Sequence, residues 1–458
     1  MSAISTFLER VCAIVWGWPM IVLLFGTHVF LTFRLKIPQR RIGKAIKLSV
    51  KKDEGSDGDV SQFGALATSL AATIGTGNII GVATAIALGG PGALFWCFCA
   101  GLFGIATKYA EGVLAVKYRV KNADGAMQGG PMYALDRGLG MRWLAVLFCV
   151  FTMLASFGIG NMVQANAISE SITGMVGNVG NPMTCRVAVG LVLALLTALV
   201  IFGGVKGISR FCTALVPPMA LLYVLGCLTI LVINRQWIWP AICTIFTDAF
   251  SLKAGTGGVA GIAIMTTLRF GVARGLFSNE SGLGSAPIVA AAAKSRNPVR
   301  QALVLSSGAF WDTAVICTLT GLVVVSSILA HPDIDPSSPM LTYAAFEKIP
   351  VVGRPLLTFG IISFAFTTIL GWSYYGERAM EYLLGRRSIR YYRIAWVVMV
   401  AMGSVLSLNV VWNFADLMNA MMSLPNLVAL VCLSGVVARE TKYYLWEDRL
   451  DEEAPSQE

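Results

Sequence analysis

Long apolar segments recur along this chain and alternate with shorter polar ones. A helix of about 20 predominantly apolar residues is long enough to cross the hydrocarbon core of a bilayer. The chain is therefore predicted to be an all-α polytopic membrane protein with about 11 spans. The predicted spans are residues 12–33, 62–87, 92–116, 143–172, 186–203, 211–233, 257–291, 299–330, 355–384, 392–411 and 413–438.

Two of these segments, 62–87 and 257–291, carry glycine and polar residues within an otherwise apolar frame. The first contains Gly75-Thr-Gly-Asn78, and the second contains a glycine-rich stretch from Phe270 to Pro287. Glycine disfavours helix interiors by about 1 kcal/mol relative to alanine. Because an open backbone group in lipid is costly, both helices are predicted to break where they face protein, water, an ion or a solute.

The two interrupted segments divide the predicted spans into halves. Each opens a set of five spans, and an odd number of spans gives the two halves opposite topology. Interrupted helices at matching positions of inverted halves indicate a binding site near the membrane midplane. The predicted organisation is an N-terminal helix with a basic cytoplasmic amphipathic loop (1–61), a first five-helix repeat (62–233), a second five-helix repeat (257–438) and a cytoplasmic tail (439–458).

Lysine and arginine concentrate in every second loop. The loop after the first span carries eight of them between Arg34 and Lys52, whereas the opposite loops hold few. Because basic loops stay in the cytoplasm, this asymmetry places the N-terminus outside and the C-terminus in the cytoplasm. It also accounts for the net charge of +10 without a nucleic-acid surface. The stretch 34–52 is either a basic loop or an amphipathic helix lying on anionic membrane lipid.

Composition excludes several other classes of protein. Only 13% of the residues are charged, whereas a soluble domain carries about 25%. The 10 cysteines form no C-x-x-C pair, and His28 and His331 are far apart, so no metal-ligand cluster is predicted. Because no nucleophile–base set is present, the chain is predicted not to be an enzyme and to need no cofactor or obligate protein partner.

Ionisable residues inside apolar segments are costly and mark functional sites by default. In the second interrupted segment, Arg274 and Glu280 either form an internal ion pair or take part in gating. Lys108 and Glu111 are spaced i, i+3, so they either pair with each other or have a functional role. Two further acidic residues in apolar segments leave the same alternatives open, namely Asp312 and Asp416.

Several motifs resemble the alanine or glycine:cation symporter family, also called sodium:alanine symporters. They lie at Ala65–Trp96, Ala106–Glu111, Gly129–Tyr133 and Ala273–Pro287, and the similarity covers nearly the whole chain. The resemblance implies the LeuT-type fold, a 5+5 inverted repeat, preceded here by one extra N-terminal helix. It also implies uptake of a small neutral amino acid with sodium across a bacterial or archaeal inner membrane.

An amino-acid substrate carries a carboxylate and an ammonium, and the interrupted helices offer partners for both. Free N–H groups and the positive dipole end of the half-helix at Thr76, Gly77 and Asn78 suit the carboxylate. Backbone carbonyls at 270–275, which include Phe270 and Gly271, are candidates for the ammonium.

Three side chains are further candidates for the substrate site. Gln164 is an amide deep in an apolar helix, and it either meets the substrate or forms a helix–helix hydrogen bond. An aromatic wall that selects small side chains would come from Phe270 or Phe277 and from Trp372, although each of these could equally be packing. One extra methylene is rejected by only about 1–3 kcal/mol, so selectivity among neutral amino acids is expected to be leaky.

The resemblance to LeuT-type symporters also implies a sodium site. Its ligands would be the carbonyls of Ala71 and Ile74 and the hydroxyls of Thr367 and Thr368. Asn78, at the position of an asparagine ligand in that fold, would hold a second sodium. The alternative for the two threonines is a hydrogen bond back to their own helix.

Two alternatives to alanine or glycine transport with sodium stay open. The first is coupling to protons, with Glu280 or Asp312 carrying the charge. The second is a different cargo within the same family, namely glutamine, serine or D-alanine.

Overall fold

The computed structural model describes residues 2–51, 57–122, 124–176, 181–250, 260–338, 340–406 and 409–454. The predicted boundary at 257 and the last four residues of the tail lie outside this part of the chain. Within it the protein is almost entirely helical, and the only sheet is a hairpin of β1 (Val120–Lys121) with β2 (Met127–Gln128). The predicted all-α class is therefore confirmed.

Two helices in the first part of the chain begin at a residue whose side chain acts as an N-cap. The side chains of Ser61 and Asn181 accept hydrogen bonds from the first free N–H groups of α4 and α10. The helices are α1 (Ser2–Val15), α2 (Trp18–Arg34), α3 (Ile42–Val50), α4 (Gln62–Thr73), α5 (Val82–Gly89), α6 (Ala93–Lys117), α7 (Pro131–Tyr133), α8 (Arg142–Phe157), α9 (Val163–Val176), α10 (Pro182–Ile201), α11 (Gly204–Ile233) and α12 (Ile238–Ala249).

In the second part of the chain, one helix also begins at a side-chain N-cap. Asn297 caps α15, because its side chain accepts a hydrogen bond from Arg300 N. The helices are α13 (Ala260–Asn279), α14 (Ala286–Ala290), α15 (Pro298–Ala309), α16 (Thr318–Ala330), α17 (Leu341–Phe346), α18 (Gly353–Leu384), α19 (Ser388–Val405), α20 (Asn409–Cys432) and α21 (Ser434–Glu440). Short π-helical segments continue several of these helices, at Gly77–Gly81, Ala134–Gly138, Gly158–Met162, Phe310–Cys317 and Thr441–Trp446.

Each predicted segment contains a described helix. Eight are long and apolar enough to cross a membrane, and α4 with Gly77–Gly89 makes a ninth if the bent pair counts as one span. Two more, α13 with 20 residues and α19 with 18, are long enough but carry arginines and are less apolar. Together they match the predicted segments one for one.

Two helices form the centre of the molecule. α6 packs against α13 and α15, and α18 packs against α4, α8, α9 and α11. α18 is the most buried candidate span, with 83% of its apolar window inside the protein. Both helices are therefore positioned to carry side chains that face the interrupted segments rather than lipid.

The N-terminal elements lie on the outside of this core. α1 and α2 together make the first span, which packs on α6 and α20. The basic stretch after it contains the helix α3, whose buried face with Ala45 and Leu48 lies on α15; contact of this helix with anionic lipid stays a prediction.

The prediction that backbone carbonyls are free at 270–275 is wrong. α13 continues as an α-helix through this range and ends only at Asn279. A side chain on Gly271 would meet Ala93 O at 2.2 Å, and one on Gly275 would meet Cys97 O at 2.8 Å. These glycines allow α6 to approach closely, as small residues do between membrane helices, and they do not unwind α13.

Candidate substrate and ion site at the two helix breaks

The first break lies where the sequence predicts it. α4 ends at Thr73, the chain turns, and the helix resumes at Gly77 after a bend of 52°. Asn78 holds this turn, because its Oδ1 accepts a hydrogen bond from Gly75 N at 2.9 Å. Its Nδ2 donates to Asp312 Oδ1 at 2.7 Å. Asn78 therefore stabilises the backbone of the break from the side of Asp312. It does not line the small cavity that lies on the other side of the break.

The second break spans Glu280–Ser285, between α13 and α14. Glu280 has φ +55°, and Gly282 and Gly284 both have φ +87°. Left-handed backbone of this kind suits glycine and is unfavourable for a residue with a Cβ. The positive φ of Glu280 is an unfavourable backbone conformation, so contacts with the surrounding side chains must hold it in place.

That support comes from α6 and α20. Glu111 Oε1 accepts hydrogen bonds from Gly282 N and Gly284 N, each at 3.0 Å, and from Asn426 Nδ2 at 2.7 Å. Lys108 Nζ donates to Asn279 O, the end of α13, at 2.7 Å. The i, i+3 pair of Lys108 and Glu111 predicted as one alternative is thus replaced by two separate contacts with the second break.

Glu280 also has partners other than the predicted arginine. Its carboxylate accepts hydrogen bonds from Trp372 Nε1 at 3.1 Å and from Ser285 Oγ. Arg274 instead stacks over the ring of Phe277, with its Cζ 5.7 Å from the ring centroid. An internal Arg274–Glu280 ion pair does not form in this structure.

A small cavity lies between the two breaks. Its volume is about 20 Å³, slightly more than the roughly 10–15 Å³ that one water molecule requires. Six of the predicted residues line it: Thr76, Gly77, Gln164, Phe277, Thr368 and Trp372. Gln164 meets the first break directly, since its Oε1 lies 3.4 Å from Thr76 Oγ1 while its Nε2 donates to Ile159 O.

Four further polar residues line the cavity that the sequence argument did not place there. They are Thr73, Ser278, Glu280 and Asn419. Asn419 carried the same signal as Gln164, a polar side chain deep in an apolar span, and could have been found by it. Ser278 adds a link to the buried carboxylate behind the first break, because its Oγ donates to Asp312 Oδ2 at 2.9 Å.

A wide vestibule leads from one face of the protein to this cavity. It has a volume of about 1040 Å³ and reaches the loops around Asp333 and Lys348. Within the described part of the chain, the residues that line both the vestibule and the small cavity are Thr76, Gly77 and Phe277. The Phe277 ring lies 3.6 Å from the place where a Cβ on Gly77 would be, so this ring and the first break separate the two spaces.

The predicted sodium ligands lie where α4 meets α18. Thr368 Oγ1 donates to Ala71 O at 3.1 Å and to Phe364 O at 2.9 Å. Thr367 Oγ1 donates to Phe364 O at 3.0 Å. The Phe364 carbonyl was not named among the predicted ligands, but both contacts to it are the hydrogen bonds back to their own helix given as the alternative for the two threonines. Ile74 is the residue at which α4 stops, and it is buried.

Besides Asn78, two more predicted substrate residues are not brought to the cavity. Phe270 packs against Gly89, and Gly271 packs against Ala93. Both lie on the α13 turns that precede Phe277, and neither lines the cavity or the vestibule. Of the two phenylalanines proposed for an aromatic wall, the structure therefore places Phe277 at the site.

Comparison with known proteins agrees with this arrangement. The family model described as "Sodium:alanine symporter family" matches residues 1–458. The chain belongs to the sodium:alanine symporter family. A relative named "Sodium/alanine symporter AgcS" from Methanococcus maripaludis is 50% identical over 448 residues, which cover 96% of this chain and 97% of the relative. The "Probable sodium/glutamine symporter GlnT" from Bacillus subtilis is 37% identical and covers 94% of this chain and 88% of its own.

The fold is likewise found among solved transporters. The crystal structure of MhsT in complex with L-phenylalanine superimposes with a TM-score of 0.63 at 14% sequence identity, over 86% of this chain and 95% of that one. This confirms the LeuT-type fold. Family membership makes the chain a multi-pass membrane protein and a sodium-coupled amino-acid symporter rather than an enzyme, with an amino acid and sodium as its transported substrates.

Proposed function

We propose that this symporter imports small neutral amino acids, with alanine and glycine preferred, together with sodium by alternating access. The observation that carries the proposal is the small polar cavity at the junction of the two breaks. It lies one layer of residues beneath a wide vestibule. A site of this size must open to admit even alanine, and it offers little room for a longer side chain.

The substrate carboxylate would bind the first break. N–H groups at Thr76 and Gly77 begin a half-helix, whose positive dipole end favours an anion. The ammonium would lie on the opposite side, against Gln164 Oε1 and the carboxylate of Glu280, both of which line the cavity. Phe277 would close over the bound substrate, and Trp372 would limit its side chain.

Sodium would bind where α4 and α18 meet. The carbonyls of Ala71, Ile74 and Phe364 are hard oxygen ligands, and the hydroxyls of Thr367 and Thr368 can turn their lone pairs toward a cation. The hydrogen bonds that these hydroxyls now make to Ala71 O and Phe364 O keep the same oxygens together. Because Asn78 bonds both Gly75 and Asp312, we assign it a structural part and propose one sodium here.

Coupling would follow from the shared first break. Sodium fixes the end of α4, which stabilises the conformation that binds the amino acid, and the loaded protein then opens to the other side. We propose that the halves 62–233 and 257–438 are the inverted repeats that rock against each other. The vestibule would open outside a bacterial or archaeal cytoplasmic membrane, with the N-terminus outside and the C-terminus in the cytoplasm.

The test is uptake of labelled alanine into proteoliposomes at fixed pH, with and without a sodium gradient, against a panel of unlabelled amino acids. We expect uptake that requires sodium and that glycine and alanine compete for best. Uptake that persists without sodium and follows a pH gradient would instead favour proton coupling through Glu280 or Asp312. Strongest competition by glutamine would reject the proposed size selection.

A double variant checks where the substrate binds. Thr76→Val with Gly77→Leu should abolish uptake while folded protein remains in the membrane, because the added side chains fill the first break. Thr84→Val is the matched control, since Thr84 lines the vestibule but donates only to Ile80 O of its own helix. Normal transport by the double variant would remove this break from the site.

A further inference from the structure

A second large pocket lies at the far end of α18 from the vestibule. The vestibule includes Arg354 near the start of α18, and this pocket includes Arg378 near its end. The two residues are separated by about 36 Å along the helix at a rise of roughly 1.5 Å per residue. The pocket has a volume of about 610 Å³ and plays no part in the proposed transport path.

Four arginines line this pocket, and one of them lacks an anionic partner. Arg378 pairs with Glu377 and Glu381, Arg393 pairs with Glu377, and Arg386 pairs with Asp124. Arg390 also lines the pocket and makes no hydrogen bond or ion pair with any residue that the structure describes. The pocket therefore holds one guanidinium that pairs with no described carboxylate, and its N–H donors can bind an anion.

Apolar side chains flank the same pocket on the membrane side. Phe202, at the end of α10, lines the pocket and is 53% exposed, and Leu199 one turn earlier is 71% exposed. On the neighbouring helix α19, Tyr391 is 72% exposed. Arg393 Nη1 donates to Phe202 O at 3.4 Å, which joins the two helices at this point. Exposed apolar surface of a membrane-spanning helix faces acyl chains, so the pocket opens where the chains meet the polar headgroups.

We propose that this pocket binds the phosphate of an anionic phospholipid headgroup, with Arg390 as its principal contact and the acyl chains along Phe202, Leu199 and Tyr391. Basic pockets between membrane helices on the cytoplasmic side are suited to such headgroups. A zwitterionic lipid carries an ammonium beside its phosphate, so its headgroup has no net charge and is attracted less strongly by an unpaired guanidinium. Free inorganic phosphate has the same anionic chemistry but cannot use the apolar flank.

Binding there would act on the transport site through α18. This helix carries Thr367, Thr368 and Trp372 in its middle and Arg378 at the pocket. A headgroup that ties α19 and α10 together around the end of α18 would stabilise the conformation described here, because a ligand stabilises the state that binds it. The proposal does not depend on which amino acid is carried.

The test uses the full-length protein in detergent and measures its thermal unfolding midpoint. The additions are phosphatidylglycerol, phosphatidylcholine or inorganic phosphate, and the variant is Arg390→Gln. Arg387→Gln is the matched control, because Arg387 is exposed immediately before α19, three residues before Arg390, but does not line the pocket. We expect phosphatidylglycerol to raise the midpoint of the unmodified protein and of Arg387→Gln in a saturable way.

For Arg390→Gln we expect the half-saturating phosphatidylglycerol concentration to rise about fivefold, equivalent to the roughly 1 kcal/mol that one basic residue contributes near an anionic surface. Equal responses of the two variants would overturn the proposal. So would an equal shift with phosphatidylcholine, and inorganic phosphate that reproduces the whole shift would show a simple anion site instead. Uptake into phosphatidylglycerol and phosphatidylcholine vesicles gives a second comparison of the same two variants.

Discussion

The two helix breaks look alike in sequence but are built differently. The first turns within Ile74–Thr76, has no residue with positive φ and is held by Asn78 of its own chain segment. The second, Glu280–Ser285, has three residues with positive φ and is held by side chains from α6, α18 and α20.

This difference indicates that the first break provides a binding surface, whereas the second break has mainly a structural role. The first break borders both the cavity and the vestibule, so its backbone donors can reach a solute. Most of the second break is turned toward Glu111 and Asn426. Glu111 Oε1 accepts from Gly282 N and Gly284 N, and Asn426 Nδ2 donates to Gly282 O. Glycine in the first break therefore lets a solute approach the backbone, whereas glycine in the second break allows the backbone to adopt positive φ.

The largest contrast is expected from adding one methyl group to each break. Gly284→Ala should prevent the protein from folding stably, because a left-handed residue with a Cβ costs about 1–2 kcal/mol. In addition, the new Cβ would lie 2.8 Å from Phe148 and from Pro131. Gly77→Ala should leave the folded yield unchanged, since its Cβ would meet only the Phe277 ring at 3.6 Å. Size-exclusion profiles and unfolding midpoints of the two variants measure this, and equal yields would contradict the contrast.

A smaller effect is expected from weakening the support without changing its shape. Glu111→Gln keeps an oxygen for Gly282 N and Gly284 N but removes the charge that strengthens both bonds. We expect the maximal uptake rate to fall about tenfold, because hydrogen bonds to charged groups contribute roughly 1.5–3 kcal/mol. The half-saturating concentrations of alanine and sodium should change little, since Glu111 does not line the cavity.

The control for that variant is another neutralised glutamate. Glu440→Gln removes the ion pair with Lys117, whose two charged atoms are 2.9 Å apart at the surface. Because exposed ion pairs contribute only about 0–1 kcal/mol, its uptake should match the unmodified protein. If Glu111→Gln transports equally well, the second break does not need the carboxylate.

The sequence predicted that both helices break, and it located the first break correctly. It misplaced the free carbonyls of the second, because Gly271 and Gly275 differ from Gly282 and Gly284 only in their surroundings. The first pair packs against α6, about 180 residues away in the chain, and no local pattern reveals such a partner.

The same limit left two alternatives open for Lys108 and Glu111. Spacing of i, i+3 identifies neighbours on one helix face, and it could not decide whether the two side chains pair or have a functional role. Both instead reach across to the second break. By contrast, Gln164 and Trp372, both predicted for the substrate site, line the cavity, whereas Phe270, predicted on the same aromatic signal as Trp372, does not.

The smallest effect, confined to sodium, should distinguish two adjacent threonines at the first break. Thr368 Oγ1 bonds Ala71 O across the helix interface, whereas the one hydrogen bond shown for Thr367 Oγ1 goes to its own helix. Thr368→Val should therefore raise the half-saturating sodium concentration about fivefold, for the loss of roughly 1 kcal/mol of polar interaction. Thr367→Val serves as the isosteric neighbour and should raise it less than Thr368→Val does. Sodium titration of alanine uptake measures both variants, and an unchanged sodium dependence in Thr368→Val would place the ion away from the junction of α4 and α18.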